Sequence, residues 1–389
     1  MNRDPVIVSA VRTPIGRQGG AFASIPAHVL GAIALKEAVS RINLEMDTID
    51  DVIFGNVISG GGNIARLTAL EAGLPLTIPG LTIDRQCGSG LNAINLAAQA
   101  IKAGDGDVYV VGGAESMSQA PYLMEKPTKP YSTMPPRFMK SRLSPDEIGD
   151  PPMGITAENL AEKYQITREE QDEFAHRSQV RMGQAMAEGY FDSQIASVSV
   201  PVRKGDPIVV SKDEHPRPET TLDKLAKLPS VFKRDGTVTA GSSSGLNDAA
   251  SAVIVMSRER AEDLGLKPLA VIKAYAVSGV DPNIMGIGPV PATQKVMEQA
   301  GLSLEDMDLI EVNEAFAAQV LACDRELNMN SEKLNVNGGA IAHGHPLGAT
   351  GAILATKAIY ELDRREGRYA LVTACIGGGQ GIATILERV

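Results

Sequence analysis

The sequence predicts an α/β protein made of two similar halves, with a long segment of different character inserted into the first. Three observations carry this. Strand-length apolar runs alternate with helix-length runs rich in Ala, Leu and Ile, the pattern of α/β units. The order helix, acidic turn, short apolar strand, Asn occurs twice, ending at Asn56 and again at Asn313. Between the halves, residues from about 118 to 233 hold most of the prolines and the long polar runs.

Element by element, Val6-Ile7-Val8 opens as a strand, and residues 28–41 read as a helix leading to the acidic turn and strand before Asn56. Leu81-Thr82-Ile83 precedes a Gly-bearing turn, a helix over 90–103 and an apolar strand over 108–111 that closes on Gly112-Gly113. The second half repeats this order at a nearly constant offset. A helix over 292–300 leads to the strand before Asn313, then come Leu334-Asn335-Val336, a Gly-rich turn, a helix over 348–362, a strand over 370–373 and Gly377-Gly378-Gly379. A match over four elements in one order points to a duplication. The insert carries polar runs at 127–136 and 204–218 and a charged helix over 168–188. Small residues over 237–245 then lead to an apolar strand at 252–256. The expected division is a first half over 1–117, an inserted loop domain over 118–236, a return to the first half over 237–267 and a second half over 268–389. Inserts of this length are usually functional.

A chain of 389 residues is too long for one ordinary core. Its 43% hydrophobic and 22% charged residues are ordinary for a globular protein. The net charge of −10 argues against a general nucleic-acid binder. No signal-peptide core or Arg/Ser-rich presequence opens the chain, and no run approaches the ~18 apolar residues of a membrane span. Three cysteines form an odd, sparse set that suits a reducing compartment, so a cytoplasmic location is expected.

Cys87 lies in Arg85-Gln86-Cys87-Gly88-Ser89-Gly90, between strand and helix. A sulfur there meets unpaired N–H groups and the positive end of a helix, both of which favour thiolate. The bland alternative is a small buried core cysteine. His345 stands in Gly344-His345-Pro346, with Pro346 suited to a first helical position, so His345 caps the helix that corresponds to the one after Cys87. The duplication then predicts that Cys87 and His345 face each other. His343 and His345 as a metal pair lack any accompanying ligand cluster. Cys375, before Ile376-Gly377, is either a core residue or a second reachable thiol. Asn313, in Glu311-Val312-Asn313-Glu314, ends a strand, where it can also cap a helix. Together they suggest acyl transfer: a thiolate takes an acyl group, a histidine removes its proton, and a second thiol moves a proton at the carbon next to a thioester. The Gly turns and helix N-termini supply N–H donors for the oxyanions. This chemistry requires no metal and no organic cofactor.

Over essentially its whole length the chain resembles the thiolase family. The resemblance rests on Cys87-Gly88-Ser89-Gly90, Asn313-Glu314-Ala315-Phe316-Ala317, Gly338-Gly339-Ala340 with Gly344-His345-Pro346, and Cys375-Ile376-Gly377-Gly378-Gly379. Val11-Arg12-Thr13-Pro14 and Gly245-Leu246-Asn247-Asp248 add to it. It implies a five-layered αβαβα fold, with the loop domain over the active site. It implies acylation of Cys87, activation by His345 and acid/base work by Cys375. One oxyanion hole would come from His345 and a water on Asn313, the other from the N–H groups of Cys87 and Gly377. Met153, Arg217, Phe232, Ser244, Met285 and Phe316 would line the coenzyme A and acyl groove, with Ser244 near the pantetheine. Coenzyme A enters as a substrate, so the expected partners are its thioesters, in a homodimer or homotetramer.

Two positions depart from the family pattern. Acetoacetyl-specific members carry His before the Met-Gly of the loop domain, whereas Pro152 precedes Met153-Gly154 here, which leaves room for longer acyl chains. His343 stands where an apolar residue is expected, and space filling is the favoured reading. Condensing enzymes of the same fold lack the second thiol, so Cys375 speaks against them. A non-catalytic relative would have lost a catalytic position, and a Rossmann dehydrogenase would need a Gly-x-Gly-x-x-Gly turn after the first strand.

Overall fold

The computed structural model describes residues 3–127, 129, 131 and 134–389. The first two residues of the N-terminal stretch read for targeting signals, and part of the polar run 127–136, lie outside the described residues. In the first half the elements are β1 (Pro5–Arg12), β2 (Gly16–Arg17), α1 (Ala27–Ser40), β3 (Asp51–Gly55), α2 (Ile64–Glu71), β4 (Gly80–Ile83), α3 (Ser89–Ala103) and β5 (Val108–Ser116). The insert holds α4 (Met153–Lys163), α5 (Arg168–Ala187), the paired β6 (Val198–Val200) and β7 (Ile208–Val210), and α6 (Leu222–Ala226). There follow β8 (Asn247–Ser257), α7 (Arg258–Asp263), β9 (Ala270–Gly279), α8 (Pro289–Ala300), β10 (Leu309–Val312) and α9 (Ala317–Leu327). The chain ends with α10 (Ala340–His343), α11 (Leu347–Arg365), β11 (Tyr369–Ile376) and β12 (Gln380–Arg388).

Strand order shows the duplication. The path β4-β3-β5-β8-β1 in the first half is matched by β10-β11-β12-β9 in the second, and the two meet where β1 pairs with β9. The parallel pair β3 and β5, in register at Gly55 and Gly113, corresponds to β10 and β11, in register at Val312 and Thr373. The repeat breaks at one place. Where the first half has β4, the second has a single bridge between Ile310 and Leu334. Asn335 turns the chain with φ of +43°, and its side chain takes the place of a ladder, accepting from Val312 N at 2.8 Å and donating to Val312 O at 2.9 Å.

Helices α3 and α11 lie side by side in the middle. Leu91, Ala97 and Ile101 of α3 share one core with Ala352, Ala355 and Leu362 of α11 and with the inner faces of both sheets, including Val253 and Val372. A second core joins Leu30 and Leu35 of α1 to Val52 and Ile254, and a third joins Val296 of α8 and Val320 of α9 to Leu371 and Ile385. The result is helix, sheet, helix, sheet, helix. Strands buried on both faces read as continuous apolar runs, as β1, β5 and β11 do.

The insert is fastened by charge and caps. Thr167 and Glu170 form a reciprocal capping box at the start of α5. Arg12 makes a two-pronged pair with Asp213 at 2.7 and 2.9 Å, with both side chains buried, and Asp213 also accepts from Ile15 N. Among the described residues, no helix is long and apolar enough to cross a membrane.

Candidate active site

Cys87 is presented by a strained turn. Gln86, just before it, has φ of +45°, a conformation that L side chains rarely adopt. Asp84 holds that turn by accepting from Gln86 N at 2.7 Å, and Ser89 Oγ accepts from Arg85 N at 2.8 Å. Helix α3 starts two residues after the cysteine, which keeps part of its surface accessible. The Gly377 N–H acts on the sulfur in favour of its charged form. Burial nevertheless pushes the thiol up to about 11, against the pull of the Gly377 and Cys87 N–H groups, and Asp84 and Glu115 add to the rise. The N–H groups favour the thiolate, as the sequence suggested, but desolvation of the charge outweighs them. The resting group is a thiol, and it needs a base.

His345 is fixed at three points. Its main-chain N–H donates to Asn247 Oδ1 at 2.9 Å, Nδ1 lies 2.7 Å from Thr350 Oγ1, and Nε2 lies 3.3 Å from Asn313 Nδ2. Helix α11 begins at Leu347 with Pro346 as its cap, so Pro346 and not His345 holds the capping position. Burial lowers the ring to about 4, so the imidazole is neutral at physiological pH. Asn313 directly follows β10, its N–H donating to Thr373 O at 2.9 Å. It is not a helix cap, because α9 begins at Ala317 with Phe316 in that position. Its Oδ1 is buried with no hydrogen-bond partner.

Cys375 sits inside β11 opposite Gly381 and is fully buried. The sequence suggested a strand ending at 373 and a thiol beyond it; the strand runs on to Ile376, and the thiol is within the layer. Burial, then Cys87 and Cys323, push it well above the ordinary thiol range. The next turn lies beneath the insert: a Cβ on Gly377 would sit 3.0 Å from Leu143 and 3.7 Å from Met153 Sδ. Cys87, Gly377 and Cys375 thus form one group, and His345 and Asn313 form another at the start of α11, which packs against the start of α3.

A groove of about 610 Å³ opens beside Ser244 and is lined by Arg217, Phe232, His215, Leu246 and Ile341. Phe232 meets Phe316 edge-on at 5.9 Å, and Phe316, Met285 and Cys375 share a buried cluster against which Met153 packs. Three of the six groove residues expected from sequence therefore line the open groove, and three lie in the apolar cluster next to it. His215 is pushed down to about 4 by burial and by Arg17 and Arg217. His343 is buried and neutral, its Nδ1 2.9 Å from Gly344 O. Among the described residues, no cluster of His, Cys, Asp and Glu could hold a metal ion.

Family models for the thiolase N-terminal and C-terminal domains match residues 5–259 and 266–388. The chain belongs to the thiolase family. This thiolase is 49% identical over 391 residues to the acetyl-CoA acetyltransferase of Pseudomonas aeruginosa, covering 99% of this chain and 100% of that protein. It is 50% identical over 400 residues to the beta-ketoadipyl-CoA thiolase of Escherichia coli, covering all of both. The structure of human mitochondrial 3-ketoacyl-CoA thiolase in complex with CoA matches with a TM-score of 0.93 at 45% identity, covering 100% of this chain and 98% of that one. The protein is an acyltransferase with the five-layered thiolase fold. Sequence reasoning gave no role to Asn247, Thr350, Leu143 or His215. Asn247 stood in a recognised run, and Thr350 lies five residues past His345, one helical turn past the cap residue Pro346.

Proposed function

We propose that this thiolase cleaves 3-ketoacyl-CoA with coenzyme A to acetyl-CoA and a shortened acyl-CoA, and runs the reverse condensation, through an acyl group on Cys87. The observations that support the reading are the two thiols at the Gly377 turn and a neutral histidine beside Asn313 at the start of α11. In the degradative direction the Cys87 proton passes to His345 Nε2 as the sulfur attacks the 3-keto carbon. Proton transfer makes an ion pair rather than two isolated buried charges, and the Gly377 N–H favours the thiolate. The bond between C2 and C3 then breaks, and the enolate of acetyl-CoA takes its proton from Cys375. Incoming coenzyme A gives its thiol proton to the Cys375 thiolate and attacks the acyl-Cys87. The freed Cys87 thiolate recovers its proton from His345.

The oxyanion formed at the substrate thioester is held by His345 and by a water accepted by Asn313 Oδ1. The one formed at the acyl group on Cys87 is held by the N–H groups of Cys87 and Gly377. Arg217 and Ser244 line the entry for the coenzyme A arm, and Phe232, Phe316, Met153 and Met285 the passage for its acyl end. The four-segment division, with 118–236 as the covering loop domain, accompanies this reading. The chain is cytoplasmic and works as a homodimer or homotetramer. In support, β4 is an edge strand with Leu81 45% exposed, and Leu67, Leu70 and Leu76 are exposed beside it.

Chain length is the substrate question. Pro152 caps α4 with no side-chain hydrogen bond, and Leu143 and Met153 present apolar surface at Gly377. The enzyme therefore accepts acyl chains longer than acetoacetyl, with discrimination of about 1–3 kcal/mol per methylene. Measuring kcat/KM for 3-ketoacyl thioesters from four carbons upward tests this; turnover confined to four carbons refutes it.

A further inference from the structure

The proton on the neutral His345 ring has to sit on one nitrogen, and the surroundings determine which. Thr350 is in the first turn of α11, fully buried, with Oγ1 2.9 Å from Pro346 O and 2.7 Å from His345 Nδ1. A hydroxyl has one proton, and a carbonyl oxygen can only accept. That proton goes to Pro346 O, the back-bond to the fourth preceding residue that Ser and Thr make in helices. The remaining lone pair on Oγ1 is left to accept, and Nδ1 at 2.7 Å, as N–H, is the donor that meets it. The far side of the ring agrees. Asn313 Nδ2, which can only donate, lies 3.3 Å from Nε2, so Nε2 is an acceptor. Asn247 pins the main chain of the same residue, which fixes where the ring starts.

We propose that Thr350 is a positioning residue that sets the tautomer of His345, holding the single proton on Nδ1 and keeping Nε2 an acceptor, whose lone pair exchanges the long Asn313 Nδ2 contact for the Cys87 proton; this rests on His345 being the base. When Cys87 is acylated in the degradative direction, its S–H bond breaks, the proton goes to Nε2, the sulfur–acyl bond forms as the C2–C3 bond of the substrate breaks, and the departing enolate takes its proton from Cys375. The imidazolium keeps its Nδ1–H on Thr350 throughout and returns the Nε2 proton to sulfur on deacylation. In many hydrolases the orienting partner is a carboxylate, which also raises the basicity of the ring. A neutral hydroxyl orients without adding charge, in keeping with a ring that burial holds neutral at physiological pH.

Solid-state 15N NMR of the histidine-labelled enzyme, with the His345 signals identified by their loss in His345→Gln, reads the tautomer directly. The wild-type enzyme shows protonated Nδ1 and bare Nε2; protonated Nε2 in the wild type overturns the proposal, and this measurement requires no variant of Thr350 to fold. Thr350→Val keeps the shape and removes the acceptor. It lowers the rate of Cys87 acylation on the order of 10²-fold, the scale of a general base put out of play, while KM stays within about two-fold. Thr350→Ser restores both the tautomer and the rate to within about three-fold. A Val variant that acylates at the wild-type rate with the wild-type tautomer also overturns the proposal. Failure of the underlying reading is distinguishable: His345→Gln acylating normally removes the base and leaves the wild-type tautomer as measured.

Discussion

The hydroxyl of Ser178, on α5 of the insert, donates to Glu314 Oε2 at 2.6 Å, in the turn that follows Asn313. The same buried carboxylate accepts from Asn335 Nδ2 at 2.8 Å and from Ile341 N at 3.2 Å, while Ser178 Oγ accepts from Gly339 N at 3.0 Å. One carboxylate therefore ties the insert to the end of β10 and to the turn that carries His345.

Removing it should loosen all three. Glu314→Ala leaves buried donors without a partner and should cost about 3 kcal/mol or more of stability, whereas Glu314→Gln, which keeps the shape and one acceptor, costs less. Urea unfolding of both variants measures this. An Ala variant as stable as the wild type would show that these bonds hold nothing together.

The thiol at Cys87 should react with iodoacetamide as a group pushed up to about 11. Only the thiolate is alkylated, so the rate should climb about tenfold per pH unit from 7 to 10 without levelling. A plateau near the ordinary thiol value of about 8.5 contradicts the dominance of burial. Enzymatic acylation should instead stay flat over this range, because His345 already lacks its extra proton above about 4. It should fall only as the pH drops towards that value and the base is protonated.

Cys375→Ala should still acylate at Cys87 and fail to make or break the carbon–carbon bond. Acyl transfer needs a nucleophile and its base, while the enolate needs a second proton carrier. Near-normal turnover of 3-ketoacyl substrate by this variant would remove the two-thiol mechanism.

Gly113 in β5 is where α11 touches the first sheet: a Cβ there would lie 2.0 Å from Gly348 O. Gly348 N also donates to Glu115 Oε2 at 2.9 Å, so the helix terminus has little freedom to retreat. Gly113→Ala should destabilise by at least about 2 kcal/mol and reduce activity through the displaced His345 turn. Thermal unfolding and acylation rates, taken together, check both halves of that statement.

Much of this architecture could be read from the chain, and the reasons are local. A cysteine in a Gly turn before a helix, and the same helix-turn-strand order around Asn56 and Asn313, are signals carried within a few residues. Three things were less legible. Leu334 was expected in a strand, but the Asn335 side chain replaces the ladder, which only the folded register reveals. The state of the Cys87 thiol depends on desolvation, which outweighs the N–H groups that the local sequence made legible. Ser178 and Glu314 meet across the insert, and neither residue type announces that partner.

The central claim is that the acyl group rests on Cys87. Incubating the wild-type enzyme and Cys87→Ala with acetyl-CoA, then mapping the labelled peptide by mass spectrometry, tests it most directly. The wild type should carry one acetyl group on the peptide containing Cys87, and the variant none. An acetyl group retained by the variant, or found on Cys375 in the wild type, would contradict the assignment.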